Sequence, residues 1–271
     1  MEYVYPYQGE TKGEFLSELT WDMKPVYYMG FNVDFGLSGL SSKPGFFSSL
    51  AIKAGIPGNS GNMEDRDWLS EVNSDLTCFS KHDNETDELI WIDLVIGASL
   101  PIKFIYLKPF ISGSWMHFLF IGSNGYGKYA DGYGLPPEVD YSGKKCITYQ
   151  QDWFLLAAGC SIGTNLYPFS FELSFKLSPH TYCAATDNHI LTRAIYKDFS
   201  DFGLFLEPKG SISLTVKKFV FLLEASYRYI SITKGDSYTG YNKSNIFNPS
   251  PNKAGAGFSA MDFQFLTKYT F

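Results

Sequence analysis

Two short segments of this chain hold acids at a spacing that suits proton chemistry. In Asn62-Met63-Glu64-Asp65-Arg66-Asp67-Trp68, Asp65 and Asp67 stand two residues apart. An extended backbone turns both carboxylates to one side. Carboxylates so placed raise each other's proton affinity, and one can hold a proton near neutral pH. In Asp187-Asn188-His189 the same spacing puts a carboxylate beside an imidazole. Such a carboxylate orients the ring and stabilises its charged form, which equips the histidine to act as a general base toward water. The chain has only four histidines, His82, His117, His180 and His189. Spacing alone does not separate either motif from a solvated loop. There is no H-E-x-x-H helix and no phosphate loop. Gly122-Ser123-Asn124-Gly125-Tyr126-Gly127 reads as loop glycines, because no strand-to-helix context follows it.

The elements that must hold these segments read as β-strands. Trp21, Met23, Pro25, Tyr27, Met29, Phe31, Val33, Phe35 and Leu37 alternate with a mostly polar or small set. A period of two describes a strand with one apolar face. Pro25 is tolerable near an edge or bulge. The alternation returns over 90–100, 169–178, 219–229 and 261–271, with Asp93, Glu172, Glu224 and Arg228 opposite the apolar residues. No amphipathic helix is evident. Tight turns are expected at Ser99-Leu100-Pro101 and at Lys217-Lys218, and long polar breaks near 57–87, 121–146, 179–195 and 233–257. Short turns at one end with long loops at the other suit a membrane barrel, whose charged face is its lumen. Several runs also reach the roughly 9–11 residues of a tilted spanning strand. The expectation is all-β: one closed antiparallel transmembrane β-barrel over residues 1–271, of about ten strands with long extracellular loops. The strands fall at roughly 2–16, 19–37, 46–57, 88–100, 102–120, 147–163, 168–182, 190–216, 219–233 and 258–271. A soluble barrel or sandwich is the alternative.

Composition narrows the function classes. The 271 residues are 18% aromatic and 45% hydrophobic, so the chain has ample apolar surface to bury and is not disordered. No run approaches the roughly 20 apolar residues of a spanning helix. A formal net charge of −6 argues against nucleic acid and leaves cationic ligands open. Cys78, Cys146, Cys160 and Cys183 include no C-x-x-C pair, which argues against zinc or redox chemistry. A disulfide among Cys78, Cys146 and Cys183 and free thiols are both compatible with their positions. Met1 leads into polar and aromatic alternation with no apolar stretch behind it, so no signal peptide is expected within this sequence.

The two motifs, in this order, resemble the omptin family of outer-membrane endoproteases. Gly61-Asn62-Met63-Glu64-Asp65-Arg66-Asp67-Trp68 is similar to the family's G-N-M-x-D-x-D-W. Ser80-Lys81-His82 resembles its S-R-H, and Phe175-Lys176 followed by Asp187-x-His189 resembles its F-K strand leading to D-x-H. Gly255-Ala256-Gly257 and the closing Lys268-Tyr269-Thr270-Phe271 resemble its G-A-G and K-Y-T-F. The resemblance implies an aspartic-type endopeptidase at the outer face of the bacterial outer membrane, monomeric, acting on polypeptides and surrounded by membrane lipid. It implies Asp65 and Asp67 on one wall of a cleft, Asp187 and His189 on the other, and a water between them as nucleophile. Neither metal nor cofactor is called for. The resemblance also implies an acidic pocket for basic residues. One of its acids falls at position 185, which is Ala185 here, and the other near Glu14, in an alignment off by one. Two outward arginines that bind lipopolysaccharide in the family correspond to Trp115 and Asp152. A non-enzymatic adhesin or receptor on the same scaffold, and a porin, are the other readings. A barrel of about ten strands leaves little room for an open channel.

Overall fold

A computed structural model describes residues 1–6, 15–36, 43–69, 75–132, 136–241 and 246–269. Alternating sequence does become strand. The strands are β1 (Glu2–Val4), β2 (Ser17–Trp21), β3 (Tyr28–Gly36), β4 (Gly45–Gly55), β5 (Gly58–Asp67), β6 (Cys78–Ile102), β7 (Ile105–Tyr129), β8 (Glu138–Asp140) and β9 (Lys145–Leu166). They continue as β10 (Phe169–Ser178), β11 (Thr181–His189), β12 (Ala194–Asp201), β13 (Phe205–Val216), β14 (Phe219–Ile230), β15 (Lys234–Tyr241), β16 (Asn248–Ala256) and β17 (Phe258–Tyr269). All pair antiparallel in one sheet, and end-to-end pairs such as β10 with β11 form the long staves of a ring of about ten strands. β1 joins the ring's two ends through β16 and β2. Below that junction, Lys268 and Asp34 bridge β17 and β3 at 2.6 Å.

The ring has two storeys. In the lower one, apolar side chains point outward: Phe169, Phe171, Leu173, Phe175 and Leu177 on β10 are all at least two-fifths exposed, and Met261, Phe263 and Phe265 on β17 are more so. This is the lipid-facing band of a membrane barrel. Inside it, charges pair off. Lys176 meets Asp93 at 2.6 Å and Glu207 at 3.5 Å, and Arg228 meets Glu207 at 2.6 Å and Asp262 at 2.9 Å. Lys108 meets Glu172 at 2.7 Å, and Lys209 meets Glu224 at 3.1 Å. The face that carried charge in the sequence is therefore the lumen.

In the upper storey the apolar residues turn inward. Trp21, Phe118, Phe120, Tyr149 and Trp153 are buried together, and Trp21 lies 5.7 Å from Phe120 and 5.5 Å from Tyr149, ring to ring. Side chains thus fill the lumen here, as they do in small barrels, which disfavours an open channel. The outer surface is polar: Lys81 pairs with Glu64 at 3.0 Å, and Arg66 pairs with both Glu64 and Glu18.

The change of face has a local cause. Trp21 is buried, whereas Tyr27, Met29, Phe31 and Phe35, of the same parity, are exposed. The strand is broken at 22–27, around Pro25, which cannot donate to a ladder. In β6 the shift falls at a bulge between Thr86 and Glu88. An inserted residue reverses which face each following side chain meets.

Two expectations change, and one open alternative closes. The polar breaks at 57–87, 121–146, 179–195 and 233–257 are largely strand, carrying β5, β8, β11, β15 and β16 and the upper ends of β6 and β7. Their polarity reflects a wall that stands clear of the apolar band. The turn expected at Ser99-Leu100-Pro101 lies further on, at 103–104, while the one at Lys217-Lys218 is where it was expected. All four cysteines are free thiols, so the disulfide reading is not realised.

Candidate active site

Both acid motifs lie on upper-storey strands. β5 carries Asp65 and Asp67, and pairs with β2 on one side and β6 on the other. Met63, Asp65 and Asp67 share one face by the two-residue period, and Met63 is wholly buried in the lumen core. Glu64 and Arg66, on the opposite face, pair outside. β11 carries Asp187 and His189 between β9 and β12. On one side of the ring β6, β7 and β9 separate β5 from β11, so the motifs stand on opposing walls.

The Asp187–His189 pair is formed. His189 Nε2 lies 2.6 Å from Asp187 Oδ2, with Asp187 almost wholly buried and His189 nearer the opening. Tyr196 meets the imidazole edge-on, 5.4 Å between centroids. Burial alone would lower the affinity of His189 for its proton, but Asp187, then Asp65 and Asp67, outweigh it and raise the imidazole to about 9. Burial, then the charge of Asp67, pushes Asp65 well above the usual carboxylate range, with His189 acting against the rise. Asp67 is also raised by burial, opposed by a hydrogen bond from Ser17 and by His189. The two motifs thus act on each other across the barrel mouth. Among the described residues no hydrogen-bond donor reaches the buried Asp65 Oδ1 or Asp187 Oδ1.

Three neighbours carried no signal in the sequence. Ser17 on β2 stands opposite Asp67 and hydrogen-bonds the aspartate pair. Glu2 on β1 and Asp198 on β12 are buried deeper in the same lumen, in hydrogen-bond contact with each other. Burial drives both upward, Asp198 to about 6, and Asp187 adds to each rise. None of the three sits in a motif. Glu2 and Asp198 come from distant parts of the chain, so only ring closure makes them neighbours. Glu14 lies outside the described residues. Ala185 is buried on the same face as Asp187. Among the described residues no group of three or more His, Cys, Asp or Glu is arranged to hold a metal ion.

On the outer wall Trp115 and Asp152 do meet. Trp115 Nε1 donates to Asp152 at 3.1 Å, and His117 lies 2.9 Å from Asp152 and 3.3 Å from Glu88. This patch contains two carboxylates and no arginine.

The model of the Omptin family matches residues 1–271. Among solved structures, the fold is similar to that of the outer membrane protease OmpT from Escherichia coli, with a TM-score of 0.87 at 19% identity. That alignment covers 100% of this chain and 91% of the other. No curated sequence gives a significant match.

Proposed function

Because this chain belongs to the omptin family of outer-membrane proteases, we propose that it is an endopeptidase that cuts polypeptides in the cleft at the long-loop end of its barrel, and that this end faces the cell exterior. Asp65, Asp67, Asp187 and His189 are its catalytic residues. The nucleophile is a water between the two walls. Asp187 holds His189 through Nε2, which leaves Nδ1 to take the water's proton. The water oxygen attacks the peptide carbonyl carbon while Asp65 and Asp67, sharing a proton, hold the water and donate to the developing oxyanion. His189 then returns its proton to the leaving amine. No covalent intermediate is required, because the attacking oxygen comes from water and not from a side chain. All four groups come from one chain, so a monomer suffices. The acidic lining favours cationic peptides. The outward patch of Asp152, Glu88 and His117 offers no cluster of bases to phosphate, which favours activity without lipopolysaccharide.

The observation that carries this reading is geometric: Asp187 and His189 are joined at 2.6 Å on β11, and Asp65 and Asp67 share the lumen face of β5 on the opposing wall. The test is refolding in detergent followed by incubation with a mixed peptide library. Cleavage by the wild type that His189→Ala and Asp65→Ala abolish supports it. An inert wild type, or variants that cut equally well, removes it. Ala185 is the observation that favours a receptor lacking turnover, and binding without cleavage would decide for that.

A further inference from the structure

We propose that the lower storey of the barrel holds a seat for one more strand, between β3 and β17, taken by an extended segment that is antiparallel to both and runs up into β1.

The argument begins with parity. Among the described residues the lower staves are β3, β4, β6, β7, β9, β10, β13, β14 and β17, nine in all. In that order each pairs antiparallel with the next. Directions therefore alternate, and β3 and β17, at the two ends of an odd series, run the same way. An antiparallel ring closes on an even number. Among the described residues β3 accordingly pairs with β4 alone and β17 with β14 alone, and no ladder joins the two.

The upper storey gives the width and direction of the gap. There β1 stands between β16 and β2, paired with each, and these strands lead down into β17 and β3. One strand thus separates above the same two edges that are bare below. Glu2, Tyr3 and Val4 pair with Ala256, Gly255 and Ala254. Met1 N donates to Gly257 O at 3.0 Å, and Gly257 N donates to Met1 O at 3.1 Å. Each step back along β1 is a step down the wall toward Phe258, where β17 begins. A segment entering β1 in this register lies in the gap.

Exposure marks the same seam. On β10 the lumen-facing Ser174, Lys176 and Ser178 are buried. β3 is open on both faces, with Gly30 and Asp34 exposed as well as Met29, Phe31 and Phe35. Side chains reach across: Lys268 meets Asp34 at 2.6 Å, the Tyr28 hydroxyl donates to Asp262, and Lys53 meets Asp262 at 3.5 Å. They leave the edge N–H and C=O groups of both strands unpaired, in the storey whose outer face meets lipid. Hydrocarbon offers such groups no partner. The occupant is therefore a segment of about 9–11 residues, apolar on alternate positions toward lipid and small or polar toward the lumen. The edge of a second barrel covers one side of the gap. A segment continuous with β1 covers both.

The test compares three proteins refolded in detergent by hydrogen–deuterium exchange. One is the 271-residue chain. The second carries about 11 residues of alternating leucine and serine ahead of Met1. The third carries the same residues as a leucine block and a serine block. The alternating segment should slow exchange of the β3 and β17 amides on the order of 100-fold. The block segment should not, and β10 amides should exchange alike in all three. Equal exchange at β3 and β17 in all three proteins overturns the proposal. So do β3 and β17 amides that are as protected as those of β10 in the 271-residue chain. Protection of that chain which grows with its concentration gives the gap to a second copy and overturns it too. Should the 271-residue chain not refold, recovery with the alternating segment but not with the block segment supports the proposal. Recovery with neither, or with both alike, overturns it.

Discussion

The two storeys of the lumen treat charge in opposite ways. In the lower one Asp93, Glu172, Glu207, Glu224 and Asp262 each lie against a lysine or arginine. In the upper one Asp65, Asp67 and Asp187 act on one imidazole, His189, and Glu2 and Asp198 lie deeper, hydrogen-bonded to each other. Buried ion pairs with good geometry hold a wall together while leaving little charge for a ligand. Buried acids left short of cations keep protons at unusual pH and attract positive charge. Pairing with lysine or arginine marks the structural charges, and a shared imidazole marks the working ones.

The contrast predicts different failures in the two storeys. The largest is in the upper one. His189→Ala or Asp65→Asn should lower kcat/KM on a cleaved peptide on the order of 10³-fold, within the range for lost acid–base groups. The midpoint of unfolding of Asp65→Asn in detergent micelles should not fall below that of the wild type, because Asp65 is a buried acid beside other acids. A large loss of stability from Asp65→Asn would erase the distinction between the storeys.

Glu207→Gln should do the reverse. It leaves Lys176 and Arg228 buried with less counter-charge, at a cost of about 3–5 kcal/mol, the range for breaking one side of a buried pair. Denaturant unfolding measures this, and kcat/KM of the folded fraction should be within a few-fold of wild type.

A third effect comes from pH. Asp198 has a folded value of about 6, above the 3.8 of an ordinary aspartate. The stabilisation it contributes is full below about pH 4 and is lost as pH rises through about 6, roughly 3 kcal/mol in all. Glu2 and Asp65, also raised, act in the same direction. His189, raised to about 9, contributes stability below its unfolded value of 6.5 that is lost as pH climbs through about 9. The denaturant midpoint should therefore fall between pH 4.5 and pH 7.5, and Asp198→Asn should flatten that fall. A slope unchanged by the substitution would show that Asp198 is not strained in the fold.

The smallest effect sharpens the link between the walls. Asp67 helps to hold the proton on His189. In Asp67→Asn the acid limb of the kcat/KM profile of the remaining activity should move down by up to about one pH unit. A limb that does not move would mean that the walls do not sense each other.

Much of this was legible in the residues. Period-two alternation announced strands, and the charges opposite the aromatics announced a lumen, because a barrel wall has one dry face and one polar face. Asp65 with Asp67 and Asp187 with His189 were visible because strand geometry turns short spacing into a shared side. The polar stretches 57–87 and 179–195 misled, since a strand that rises clear of lipid has no reason to keep an apolar outer face. Trp21 misled as well: parity set it with Met29 and Phe31, and the break around Pro25 turned it inward.

The sequence by itself determined the strands, their polar and apolar faces and the two acid motifs, because each follows from neighbours a few residues apart along an extended backbone. Tertiary structure alone decided that β5 and β11 stand on opposing walls, that Asp198 lies across from Ala185, and that Glu2 meets Asp198. Those relations depend on ring closure and on which residue sits opposite which, and a single strand carries no record of its partner's register.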